Sequence, residues 1–268
     1  MPFVHANGIE LYFEAHGKGE PLVLIAGIGY DGWYWQRMLP GLSNHFQVIT
    51  FDNRGIGKSD KPTGPYSAQL LANDCIGLLD ALNIRQAHVF GHSMGGFIAQ
   101  AMALDHPERI HKLILAATNF GGPNHIPVSE QVLAILSDVS GDPMERFRRG
   151  LQVSVAPGFA ERHPEVIEAW IAYRLANPLD PLANQAQMGV GLGLYPEEAC
   201  FEKKLPAMKL PTLILFGEQD RIVPTANAEL LARQIPNSRV QFLPNAGHHF
   251  PLEVPEVAVA AVVDFLKS

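Results

Sequence analysis

Apolar and polar positions along this chain switch between two spacings in a regular order. From residue 3 to residue 26 they form three short strand-like runs, with Asn7-Gly8 as a tight turn between the first two and Gly17-Lys18-Gly19 before the third. That opening predicts antiparallel pairing. Helical spacing follows at 33–42, then a strand at 47–51, a helix at 67–82, a strand at 87–90, a helix opening just after Ser93 and a strand at 112–116. The alternation resumes with a strand at 212–216, a helix at 225–234, a strand at 239–243 and a last helix at 255–266. Strands and helices in this order build an α/β fold, a mostly parallel central sheet with helices on both faces.

Between the two alternating stretches, residues 119–208 carry no strand pattern. They hold helical pieces broken by Pro127, Pro143, Pro157, Pro164, Pro178, Pro181 and Pro196. The expected organisation is a core made of 1–118 and 209–268, with 119–208 as an inserted helical cap over the carboxyl edge of the sheet. Gly189, Gly191 and Gly193 are expected to weaken a helix within that cap.

Composition narrows the function classes. A chain of 268 residues can bury a large core, and 47% apolar with 18% charged residues describes an ordinary globular protein. The net charge of −7, with no offsetting Lys/Arg cluster, argues against nucleic acid as a partner. Cys75 and Cys200 are too few and too far apart for a disulfide framework or a zinc site. The first residues lack the basic-then-apolar pattern of a signal peptide, and no apolar run is long enough to span a bilayer, so the expectation is a cytoplasmic protein without membrane contact.

The chemistry concentrates at Gly91-His92-Ser93-Met94-Gly95, which follows a strand and opens a helix. A serine on such a bend takes a positive φ, and near side-chain-free neighbours two positions away let the backbone close. The pentapeptide pattern alone would arise by chance roughly 0.1 times in a chain of this composition, so partners elsewhere carry the weight. A serine hydroxyl needs a base, and the base a third group to orient it. The strand at 212–216 runs into Gly217-Glu218-Gln219-Asp220, which makes Asp220 the candidate acid, with Glu218 the alternative. The strand at 239–243 runs into Gly247-His248-His249, which makes His248 the candidate base, with His249 the runner-up. The order Ser93, Asp220, His248 suits a parallel sheet that gathers them at one edge.

With these motifs, and with Asp52-Asn53-Arg54-Gly55-Ile56-Gly57-Lys58-Ser59 similar to a D-x-R-G-x-G-x-S loop, the chain resembles the α/β-hydrolase fold family over nearly its whole length, close in pattern to small esterases and enol-lactone hydrolases. The resemblance implies that the first histidine after Gly247 is catalytic. The backbone N–H of Met94 is one expected oxyanion donor, and by resemblance that of Ile28 is the second, although Ala26-Gly27 stands where the family often has His-Gly. Asp52 and Glu253 are expected as structural hydrogen-bond acceptors, with Arg54 and Ser59 shaping their turn.

The expected function is hydrolysis of a carboxylic ester or lactone through an acyl-enzyme, with neither metal nor organic cofactor. Carbon–carbon bond hydrolysis, thioester hydrolysis and perhydrolysis are alternatives on the same residues, and a ligand receptor on the same fold is another. Gly27-Ile28-Gly29-Tyr30-Asp31-Gly32 also matches G-x-G-x-x-G, with Asp52 twenty residues on, which would suit a dinucleotide site. Bulky Trp33-Tyr34-Trp35 stands where close phosphate approach is wanted. Trp33 and Trp35 are candidates for the pocket wall or the core. The cap carries Phe120, Phe147, Phe159, Trp170, Tyr173, Met188, Leu192 and Tyr195, part of which should line the site and favour a small, apolar or cyclic ester.

Overall fold

A computed structural model describes residues 2–268 of the protein. Its strands are β1 (Phe3–Ala6), β2 (Ile9–His16), β3 (Pro21–Ile25), β4 (Gln47–Phe51), β5 (Ala87–His92), β6 (Ile110–Ala116), β7 (Thr212–Gly217) and β8 (Ser238–Leu243). They form one eight-stranded sheet in the order β1-β2-β4-β3-β5-β6-β7-β8. The first two pairings, β1 with β2 and β2 with β4, are antiparallel, and all the others are parallel. Asn7 and Gly8, at φ 47° and 80°, make the tight turn that sets Ala6 opposite Ile9.

Each central strand is apolar on both sides because helices cover both faces of the sheet. Val23, Val89 and Ile214 enter one core, and their neighbours Leu22, Phe90 and Leu213 enter the other. Alternate residues of a strand point to opposite faces, so a continuous apolar run serves two cores at once. Helices α2 (Ala68–Ala81), α3 (Met94–Asp105) and α9 (Ala226–Gln234) supply residues to the first core. Helices α1 (Leu39–Ser43), α10 (Phe250–Glu253) and α11 (Pro255–Lys267) supply the second. Ser67 starts α2 by accepting a hydrogen bond from Leu70 N–H.

Between β6 and β7 the chain makes five α-helices and no strand: α4 (Glu130–Ser137), α5 (Pro143–Ser154), α6 (Phe159–Arg162), α7 (Pro164–Ala176) and α8 (Pro181–Leu192). Asp142 opens α5 with a capping box to Glu145, and Pro stands in the first turn of α5, α7 and α8, where its missing N–H costs nothing.

The sequence pattern and the structure part at one place. The helix expected over 33–42 is divided into a 3₁₀ turn, Gly32–Trp35, and the short α1. Pro40 has no N–H to give the Gln36 carbonyl, and the bonds before it are the tighter kind, Gln36 N–H to Trp33 O and Met38 N–H to Trp35 O. Gly189 and Gly191 lie in the last turns of α8, and Gly193 stands at its C-cap. The helix continues to Leu192, and Gly193 N–H closes onto Gly189 O at 2.8 Å.

Candidate active site

Strand β5 ends at His92, and Ser93 stands at the N-cap of α3 with φ 55° and ψ −118°. That conformation is strained for a residue with a Cβ, and surrounding bonds hold it. Ser93 N–H donates to Ala116 O, and Thr118 Oγ1 donates to Ser93 O, both at 2.9 Å. The flanking glycines are sterically required. A Cβ on Gly91 would lie 2.2 Å from Gly95 O, and one on Gly95 would lie 2.1 Å from Ile25 O. The serine thus projects half-buried where the turn brings β3, β5 and α3 together.

Asp220 and His248 follow the ends of β7 and β8, two neighbouring parallel strands. His248 Nδ1 and Asp220 Oδ2 are 2.9 Å apart, with both side chains buried. Asp220 Oδ1 accepts from Ile222 N–H and Val223 N–H, each at 2.9 Å, which aims the other oxygen at the ring. His248 N–H donates to Ser154 O at 2.8 Å, so the end of α5 positions the histidine loop. The alternative acid, Glu218, is exposed.

Ser93 and His248 line one cavity of about 390 Å³. Helices α4, α5 and α8 contribute Leu136, Arg146, Phe147, Leu151 and Met188 to its wall, and the loop after β3 contributes Gly27, Ile28 and Tyr30. Of the cap residues expected there, Phe147 and Met188 line it. Phe120, Phe159 and Trp170 are buried in the cores, while Leu192 and Tyr195 are largely exposed. Trp35 is fully buried, and Trp33 stacks on Tyr173 with ring centres 4.2 Å apart, facing a separate cavity of about 490 Å³. Neither tryptophan lines the serine cavity.

His92 and His249 also line the cavity and belong to a buried cluster that the sequence pattern did not reveal. His92 Nε2 donates to His248 O at 2.8 Å, supporting the candidate base. Tyr34 Oη lies 3.1 Å from His249 Nδ1, and Trp170 meets the His249 ring edge-on at 4.6 Å. Burial, followed by the neighbouring His248, holds both His92 and His249 well below the ordinary value of 6.5, so both stay neutral. Burial also keeps the Tyr34 hydroxyl protonated, pushing its pKa well above 10.0.

Met94 directly follows Ser93, and Ile28 lines the same cavity as the serine. Met94 is the first residue of α3, which has no side-chain cap, so its N–H belongs to the unpaired first turn. Gly27, one residue before Ile28, packs against the serine so closely that a Cβ there would sit 3.1 Å from Ser93 Cβ and 3.5 Å from Oγ. The G-x-G-x-x-G loop therefore begins against the serine, and its first glycine, Gly27, permits that approach. Asp52 accepts Gly32 N–H and Lys58 N–H, and Glu253 accepts Ala156 N–H and Gly247 N–H, as expected of structural carboxylates. Arg54 pairs with the buried Asp74 on α2. Cys75 and Cys200 are free and buried. Among the described residues, no group of three or more His, Cys, Asp or Glu is placed to hold a metal ion, and no helix is long and apolar enough to cross a membrane.

A mostly parallel eight-stranded sheet with a strained serine on the turn after a central strand defines the α/β-hydrolase class of enzymes. The family model for the alpha/beta hydrolase fold matches residues 20–255, and the chain belongs to that family. A 2-hydroxy-6-oxononadienedioate/2-hydroxy-6-oxononatrienedioate hydrolase of Burkholderia vietnamiensis is 32% identical over 273 residues, covering 97% of this chain and 93% of its own. A pimeloyl-[acyl-carrier protein] methyl ester esterase of Aeromonas hydrophila is 30% identical over 260 residues, covering 94% of this chain and 98% of its own. Among solved structures, the enol-lactonase from Burkholderia xenovorans LB400 matches 100% of both chains at 28% identity with a TM-score of 0.84.

Proposed function

We propose that this α/β hydrolase cleaves a carboxylic ester or lactone through an acyl-enzyme on Ser93, with His248 as base and Asp220 as the acid that orients it. The observation that carries the reading is the 2.9 Å bond from His248 Nδ1 to Asp220 Oδ2, beside a cavity that His248 shares with a strained Ser93. Asp220 holds the proton on Nδ1, which leaves Nε2 as the lone pair that takes the serine proton. Ser93 Oγ then bonds to the carbonyl carbon, and the oxyanion meets Met94 N–H and Ile28 N–H. The carbon–oxygen bond to the alcohol breaks as the imidazolium returns the proton to the leaving oxygen. Water attacks the acyl-enzyme by the same route and releases the acid.

The similarity to an enol-lactonase and to a methyl ester esterase supports ester chemistry. The helices over the sheet edge act as a cap whose Phe147, Leu151 and Met188 favour a small to medium apolar or cyclic acyl group. One observation favours a second specificity. Among the described residues, Arg146, exposed on α5, is the one Lys or Arg lining the cavity, so an apolar ester with a distal carboxylate would also be accommodated. Carbon–carbon hydrolysis would use the same residues on a vinylogous diketone.

The test is a fluorophosphonate together with a substrate screen. Intact-protein mass spectrometry should show one adduct, mapped to Ser93, and Ser93→Ala should lower turnover on the order of 10⁶-fold. An adduct elsewhere, or turnover surviving the substitution, refutes the assignment. Parallel rates on p-nitrophenyl esters, lactones and vinylogous diketones separate ester from carbon–carbon cleavage.

A further inference from the structure

The backbone of Gly29 is held on both its N–H and its carbonyl by side chains of the helical segment. Its N–H donates to Gln187 Oε1 at 2.9 Å, and its carbonyl accepts from Arg174 Nη2. Gln187, on α8, is wholly buried, and its amide nitrogen donates at 2.9 Å to Arg54 O, in the loop after β4. Both ends of the amide are therefore committed, and a flip would set donor against donor and acceptor against acceptor. Arg174, on α7, lies 5.7 Å from the ring centres of Tyr30 and Phe147, so its guanidinium cannot swing away without leaving both rings.

Gly29 itself has φ 74°, and a Cβ there would come within 3.3 Å of Asn184 Oδ1 and 3.4 Å of Leu179. Two residues earlier, Gly27 packs against Ser93. Ile28 is thus bracketed, with the serine on one side and α7 and α8 on the other.

From this bracket we infer that Gln187 is a positioning residue for the oxyanion donor of Ile28, with Arg174 completing the grip. The helical segment therefore does more than wall the cavity. If α8 moves away, the Gly29 N–H loses its acceptor and the Ile28 donor loses its register with Ser93. A buried N–H left without an acceptor drives such a loop to relax. The inference rests on the serine-hydrolase reading above.

The test uses full-length Gln187→Leu and Gln187→Glu, assayed on a p-nitrophenyl ester and with phenylboronic acid, whose tetrahedral serine adduct places an oxygen where the oxyanion forms. Gln187→Leu should lower kcat about 10- to 100-fold, the scale of a slightly misplaced group. KM should stay within about twofold, since ground-state binding is untouched. The boronate Ki should rise with the fall in kcat.

In Gln187→Glu a protonated carboxyl can repeat both bonds, whereas a carboxylate faces the Arg54 carbonyl with no proton to give. Its kcat relative to wild type should therefore fall as pH rises. That ratio decides the matter if Gln187→Leu does not fold. A Gln187→Leu enzyme with unchanged kcat and boronate Ki, one altered in KM alone, or a Gln187→Glu ratio flat with pH overturns the positioning role. If Ser93→Ala keeps its turnover, the serine reading fails and this inference with it. If Ser93→Ala is dead while both Gln187 variants behave as wild type, the positioning role alone fails.

Discussion

Glu253 should make the stability of this protein fall as pH rises from 4.5 to about 7. Glu253 is 7% exposed, and its carboxylate accepts Ala156 N–H at 2.7 Å and Gly247 N–H at 3.0 Å, tying the chain after α5 to the loop that carries His248. Burial raises its pKa from 4.5 to about 7; the two N–H donors pull it down, and the nearby Asp220 charge adds to the rise. The folded state therefore holds this proton more tightly than the unfolded chain. Its contribution is fully present below pH 4.5 and is lost progressively as pH rises to about 7. The gap between those values, at ~1.4 kcal/mol per tenfold change in an equilibrium constant, amounts to about 3 kcal/mol. Glu253→Gln keeps an oxygen for the two N–H groups and removes the charge, so it should lack this slope. Urea unfolding of both proteins from pH 4.5 to 8 isolates the effect. Wild type should lose about 3 kcal/mol relative to the variant over that range, and a difference that is flat or rises with pH would refute the reasoning.

Three further outcomes test the site. Asp220→Asn should leave the circular dichroism spectrum unchanged, because Oδ1 can still accept from Ile222 and Val223; turnover should fall about 10⁴-fold as the imidazole loses its partner for the correct tautomer. His248→Ala should cost at least as much in kcat, and His249→Ala far less; the reverse ranking would make His249 the base. Phe147→Ala should move the optimum to longer acyl chains, with a gain of at most ~0.8 kcal/mol for each added buried CH₂, while Ser93 labelling by a small fluorophosphonate keeps its rate. A chain-length profile identical to wild type would remove Phe147 from the acyl pocket.

Much of this protein is legible along the chain because its rules are local. Alternating periods announce a parallel sheet, and the strands they mark recur as β3 to β8 within a few residues at each end. The bend at Ser93 can be read because its steric demand falls on Gly91 and Gly95, two positions away. Asp220 and His248 are placed by the ends of β7 and β8, and parallel pairing then brings them together. The division of 33–42 could also have been read, since Pro40 stands within it.

The surroundings of the site were not legible. Tyr34 meets His249 across 215 residues, and Gln187 meets Gly29 across 158. Nothing near Gln187 in the sequence marks it, since a glutamine on a helix is ordinarily a solvated residue. Likewise Trp33 and Trp35 look alike in sequence, yet one is core and the other stacks on Tyr173. Periodicity and turn chemistry act between neighbours and are written in the order of residues. Which buried polar group meets which depends on how α7 and α8 settle over the sheet, and only the packed chain decides that.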